Sequence, residues 1–273
     1  MEEESQISPQ PKKKFRKLKR AFFILMSLFI IVIITGVVLA NVYEKEIKQY
    51  AIDEINSHLK AKIKINEDNI SFSFFKKFPK ASLNFADLLI EDENQKDTIV
   101  FAENFSLEFG LGSLFSGNYE VNEVGIDDAV FNLKVDEKGN ENYIFWKEST
   151  NKDTTENDLG FKLNEVNFND VALNYENIKL GSQANVYLNE TSFSGDFSSD
   201  SSILTIDSDL LINQISSDSN VYFANKPSKL MVERSKFTTS EIVLDNGKVT
   251  IGEMTLDFNS FFDLKKKTSK INA

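Results

Sequence analysis

The chain has 273 residues, a formal net charge of -11 and no cysteine. The missing cysteines exclude disulfides and thiolate metal sites, and the acidic balance argues against a nucleic-acid partner. Residues 1–20 hold seven basic and three acidic side chains, so the net negative charge lies wholly in the remainder.

Residues 1–11, MEEESQISPQP, are polar with two prolines and read as disordered. A basic collar follows: Lys12, Lys13, Lys14, Arg16, Lys17, Lys19 and Arg20. It either attracts anionic inner-leaflet lipid or serves only as a topology signal. Residues 21–40, AFFILMSLFIIVIITGVVLA, carry no charge and no proline. About 20 apolar residues span the roughly 30 Å hydrocarbon core of a bilayer as a helix. We therefore place a transmembrane anchor at 21–41. With the positive collar before it, residues 1–20 form a cytoplasmic tail and the bulk is exported. The rival reading is a signal peptide cut at Asn41, with Val38 and Ala40 as the small residues before the cut. The apolar run is longer than a usual signal core, which favours a retained, single-pass anchor in a bacterial inner membrane with a periplasmic bulk. An exported chain without disulfides suits such an envelope.

Residues 42–60, VYEKEIKQYAIDEINSHLK, predict an amphipathic helix with Val42, Ile47, Tyr50, Ala51, Ile55 and Leu59 on one face. His58, the sole histidine, reads as ordinary helix surface. From Ala61 the period shortens to two. Ile63 and Ile65, then Ile70, Phe72 and Phe74, alternate with polar residues. Leu83 and Phe85, Ile99 and Phe101, Phe105 to Phe109, and Phe131 to Val135 continue the pattern. This is the signature of half-buried strands. Lys76-Lys77-Phe78-Pro79, Gly110 to Gly117 and Asp136 to Asn140 read as turns, and Asp245-Asn246-Gly247 as a hairpin between two apolar triplets.

An internal repeat stands out. Tyr119–Leu133, YEVNEVGIDDAVFNL, matches Phe161–Tyr175, FKLNEVNFNDVALNY, with a weaker echo from Leu230. Each copy reads as a strand, a bend at the acidic residue and a second strand, which suggests a sheet that grows laterally. Residues 147–158, KESTNKDTTEND, read as a polar surface loop inside one β-region at 61–258, and residues 259–273 as a frayed tail. Three glycosylation sequons, at Asn69, Asn104 and Asn189, are expected by chance in so Asn- and Ser-rich a chain.

No phosphate-binding glycine loop and no paired-histidine metal spacing occurs. Acidic residues fall singly on alternating strand faces, and we expect no enzyme activity and no cofactor. Phenylalanine is abundant, at 24 residues against seven tyrosines and one tryptophan. A strand face so rich in a side chain with no polar handle must be covered, by a bound apolar ligand or by a second layer of the chain itself.

Residues 12–146 resemble the N-terminal region of AsmA-family proteins, especially the long chains of Bacteroidetes-type bacteria. The likeness rests on elements in order. The collar, anchor and helix are followed by Phe74-Phe75-Lys76-Lys77-Phe78-Pro79 and Leu83-Asn84-Phe85-Ala86-Asp87-Leu88. Then come Asp97-Thr98-Ile99-Val100, Phe105 to Phe109, Leu114-Phe115-Ser116-Gly117, and Phe131-Asn132-Leu133 before Gly139-Asn140-Glu141-Asn142. Val171 to Tyr175 and Phe193 to Phe197 extend it. The resemblance implies a mainly β fold, an elongated, curled antiparallel sheet forming a β-groove like those of TamB and chorein-like proteins. It implies shielding of lipid acyl chains, phospholipid transport and outer-membrane biogenesis. Leu83, Phe85, Leu107, Phe109, Phe131 and Leu133 are the groove-lining candidates. Membrane lipids are the expected partners, with envelope proteins as further partners and no nucleic acid. Family chains run further, so this one is expected to be a short relative, a fragment or one piece of an assembly. The competing function is an envelope scaffold, influencing outer-membrane protein assembly through strand pairing without lipid.

Overall fold

The structure, a computed structural model, describes residues 62–73, 80–92, 97–110, 121–143, 163–197, 201–266 and 268–273. The predicted anchor, the helix at 42–60, the Lys76–Pro79 turn, residues 111–117 and the loop at 147–158 lie outside them.

Every described element but one 3₁₀ turn, Glu67–Asn69, is a strand. The first block contains β1 (Lys62–Lys64), β2 (Ile70–Ser73), β3 (Lys80–Glu91), β4 (Thr98–Gly110) and β5 (Val121–Val135). The second contains β6 (Glu165–Asn177), β7 (Ser182–Phe197), β8 (Ser201–Ser217), β9 (Asn220–Thr238), β10 (Glu241–Ile251), β11 (Met254–Asp263) and β12 (Thr268–Asn272). All twelve belong to one curled, open sheet. From β3 onward each strand pairs with the next in sequence, while β1 and β2 both pair with β3. The later strands therefore extend the first block edge to edge rather than folding over it as a second layer.

Every pairing is antiparallel except β5 with β6. That exception explains the repeat. Glu123 pairs with Glu165, Asn132 with Asn174 and Leu133 with Tyr175, so from Glu123 onward the first copy lies beside its counterpart in the second. Parallel neighbours need a long crossover, and residues 136–164 supply it. The crossover starts with the predicted Asp136–Asn140 turn, where the Asn140 amide donates to Asp136 Oδ1 at 2.8 Å.

The bend at the acidic residue is present in both copies. Asp128 and Asp170 have φ of 52° and 54°, and Asp87 on β3 has φ of 54°. Aspartate tolerates this left-handed region better than most residues. Flanking pairs place the three in one row: Ala86 and Leu88 face Asn104 and Ala102, which face Asp127 and Ala129, which face Asn169 and Val171. At this row the alternation reverses. Ala81, Leu83 and Phe85 are buried before it on β3, Leu88 and Ile90 after it. On β5 Ile126 gives way to Ala129. Because neighbouring strands reverse together, their apolar side chains stay on one face and pairing is continuous.

Three expectations need correction. Asp245-Asn246-Gly247 is a bulge within β10, not a hairpin turn: Asn246 takes φ of 53° and the register shifts between Leu244 and Gly247. The signal is genuine left-handed chemistry, which a bulge uses as readily as a turn. The weak echo from Leu230 spans the β9–β10 hairpin, closed where the Glu241 amide donates to Thr238 Oγ1 at 3.0 Å. Residues 259–273 are mostly strand, in β11 and β12, with β12 exposed along its length at the sheet edge.

Candidate functional site

The apolar face is built by register. Leu83 pairs with Leu107, Phe85 with Phe105 and Ala81 with Phe109, which sets these six on one face. Across β4 and β5, Phe105 meets Ile126 and Leu107 meets Val124. Beyond the bend, Phe131 lies between Val100 and Leu173, and Leu133 beside Tyr175. A cluster joins the two sides: Ala102, Ile126, Ala129 and Val171 are buried together, with Phe105, Phe131 and Phe168 packed against them. The Phe131 and Phe168 rings meet edge to face at 6.1 Å, and Phe168 meets Phe193 at 6.0 Å.

All six candidates thus lie on one face, but not equivalently. Leu83 and Phe85 keep only 2% and 1% of their surface, and the Phe85 ring packs on Phe105 at 5.7 Å. They are core residues, each contributing about 1.5–3 kcal/mol by burial. Leu107, Phe109, Phe131 and Leu133 are half-buried and retain free apolar surface. Sequence reasoning missed the central residues Ile126, Phe168 and Val171. Their signal was in the repeat, where Gly125-Ile126-Asp127-Asp128-Ala129 and Asn167-Phe168-Asn169-Asp170-Val171 occupy equivalent positions.

From β8 to β12 the same face continues with large residues set beside small ones. Leu204, Ser235, Leu244, Ser260 and Ile271 are successive partners, as are Ile206, Val232, Gly247 and Phe258. The Phe258 ring lies against Gly247, where a Cβ would overlap it. The serines are mostly satisfied locally: Ser235 Oγ donates to the Leu204 carbonyl at 2.8 Å, and the Thr191 and Ser208 hydroxyls are 2.6 Å apart. Leu256, which pairs with Val249 on this face, is 46% exposed.

The opposite face is polar. Lys229–Asp209 (3.2 Å), Arg234–Asp245 (3.4 Å) and Lys248–Asp257 (3.5 Å) bridge neighbouring strands there. Such exposed pairs add little stability and mainly keep the face hydrated. Nearer β3, Lys80 Nζ lies 2.8 Å from Glu123 and 3.2 Å from the buried Glu108. The hydrogen bond to Glu123 raises the Lys80 pKa, against the lowering effect of burial. Asn169 Nδ2 donates to its repeat counterpart Asp127 at 2.6 Å, and Asn167 Nδ2 reaches diagonally to Glu123 at 3.1 Å. Among the described residues no group of three or more His, Asp or Glu is arranged to hold a metal ion.

One sheet with a mainly apolar face and a charged reverse can shelter an apolar chain along its length. No characterised protein matches the chain. The profile of the AsmA family matches residues 12–257, most of the chain, in agreement with the order of elements in its first half. The chain belongs to the AsmA family.

Proposed function

We propose that the apolar face shelters lipid acyl chains, and that the chain is an inner-membrane-anchored periplasmic protein acting in phospholipid transport and outer-membrane biogenesis without catalysis. The observation that carries this reading is the mainly apolar face running from β3 to β11 on one sheet, with the salt bridges of the described residues on the reverse. Leu107, Phe109, Phe131 and Leu133 are the accessible lining in the first block, while Leu83 and Phe85 support it from below. Each methylene transferred from water to such a surface gains about 0.8 kcal/mol, so part of one acyl chain supplies several kcal/mol before ordering costs. The anchor at 21–41 would keep the sheet beside the membrane that supplies the lipid.

The second reading, a scaffold that pairs with envelope proteins, draws on β12. This edge strand is short and wholly exposed, and an exposed edge accepts a partner strand. Mass spectrometry of lipids copurified with the full chain separates the two. The groove reading expects diacyl lipid at near-stoichiometric amounts, reduced by Phe131→Asp in protein that keeps its β circular-dichroism spectrum. Lipid at background level, with proteins copurifying instead, supports the scaffold.

A further inference from the structure

The polar face carries a cleft that the lipid reading does not use. Two adjoining depressions, of about 430 and 330 Å³, share Glu176 and Gln183 in their walls. Their floor is a row of carboxamides, one per strand. Asn132 pairs with Asn174, Asn174 with Asn185 and Asn185 with Gln214, across β5, β6, β7 and β8. Asn174 Nδ2 donates to Asn132 Oδ1 at 3.0 Å, and Asn132 Nδ2 to the Thr98 carbonyl at 3.1 Å, which fixes the first two amides. The Asn185 and Gln183 side chains have no hydrogen-bond partner among the described residues. Two residues further along β5, β6 and β7, and three along β8 where the register shifts, lies a second row on the same face, Val130, Ala172, Tyr187 and Leu211, half-buried and apolar. The Tyr187 hydroxyl donates to Asp170 at 3.1 Å, holding its ring at the border of this strip.

We propose that this cleft binds an extended, uncharged glycan chain laid across the strands. Carboxamides offer a donor and an acceptor side by side, a match for vicinal hydroxyls or an acetamido group. The apolar row with Tyr187 offers a surface for the C–H faces of sugar rings. Strands repeat at about 4.8 Å, close to the length of one ring in an extended β-linked chain, so successive rings meet successive amides. A peptide advances about 3.4 Å per residue and falls out of step with the row. Among the described residues the cleft lining carries one cation, Lys134, paired with Glu176 at 3.6 Å, against further carboxylates at Asp97 and Asp218, so the balance is negative and a polyanion is disfavoured. The site is on the face opposite the apolar one and does not depend on lipid binding there.

The test uses the full chain in nanodiscs, titrated by microscale thermophoresis with N-acetylglucosamine hexamer, cellohexaose and a hyaluronate hexamer as the anionic control. Saturable binding of a neutral hexamer, stronger than of hyaluronate, is expected. Gln183→Ala with Asn185→Ala should weaken it at least tenfold, while Lys248→Ala, elsewhere on the polar face, should not. The double variant removes side chains without internal partners, so folding is preserved, as circular dichroism checks. Absence of binding to either neutral hexamer at millimolar concentration, or binding indifferent to the double variant, overturns the proposal.

Discussion

Asp128 and Asp170 stand side by side across the parallel β5–β6 pair, both in the left-handed backbone region. They occupy the same position in two copies of one sequence motif. Their shared conformation lets two strands reverse alternation together without losing a register. A β-branched residue resists this conformation, at a cost of about 1–2 kcal/mol. Asp128→Val should therefore lower the unfolding free energy by that amount, whereas Asp128→Asn and Asp128→Gly should stay close to the parent. Urea denaturation of the three variants checks this, and equal stability of the valine and asparagine forms would refute the bend.

Gly247 and Phe258 form a second sensitive pair. A methyl at 247 must displace the Phe258 ring, and overpacking of this kind costs about 1–3 kcal/mol. Gly247→Ala should be destabilised within that range, and Phe258→Leu in the same chain should recover part of the loss. A double-mutant cycle by denaturation measures the coupling.

Alkaline pH should weaken the fold. Burial beside Glu141 and Tyr175 pushes the Tyr143 phenol up to about 12, from an ordinary value of 10.0. The folded state holds this proton longer than the unfolded chain does. Its stabilising contribution is therefore complete below about pH 10 and is lost as pH rises through about 12. Lys80, raised mainly by its bond to Glu123, acts in the same direction above its ordinary 10.5. Melting temperature should fall across this window, and Tyr143→Phe should flatten the fall. Spectrophotometric titration of that variant should lack one late-ionising phenol.

The proposed topology, drawn from the collar and the apolar span, has a cytoplasmic N-terminus. Alkaline phosphatase fused to the C-terminus should be active in bacteria, and the same fusion to a reporter requiring the cytoplasm should be silent. N-terminal sequencing of mature protein should not begin at Asn41.

Much of the sheet was legible because its cause is local. Strict alternation at Leu83–Phe85, Phe105–Phe109 and Phe131–Val135 records one buried and one solvated face, and the repeat records a strand laid beside its own copy. Pairing direction was not legible, since a run such as Val124 to Leu133 alternates identically in parallel and antiparallel partners. Nor was Asp245-Asn246-Gly247, where the same left-handed residue serves a bulge or a turn and long-range pairing decides. Among the lining candidates, alternation identified the face of Phe85 and Phe131 alike. Which one keeps free surface depends on neighbours distant in sequence, so burial separated them only in the folded chain.

Lipid contact is proposed for the apolar face alone. Photo-crosslinking amino acids at Phe109, Phe131 and Leu256 probe that face in living cells, and at Lys248 and Asp257 the reverse. Glu108 suits neither set, being 1% exposed. With each variant folded and in the membrane, lipid adducts at the first three positions and none at the last two are predicted. Protein adducts without lipid at Phe109, Phe131 and Leu256 would contradict the account.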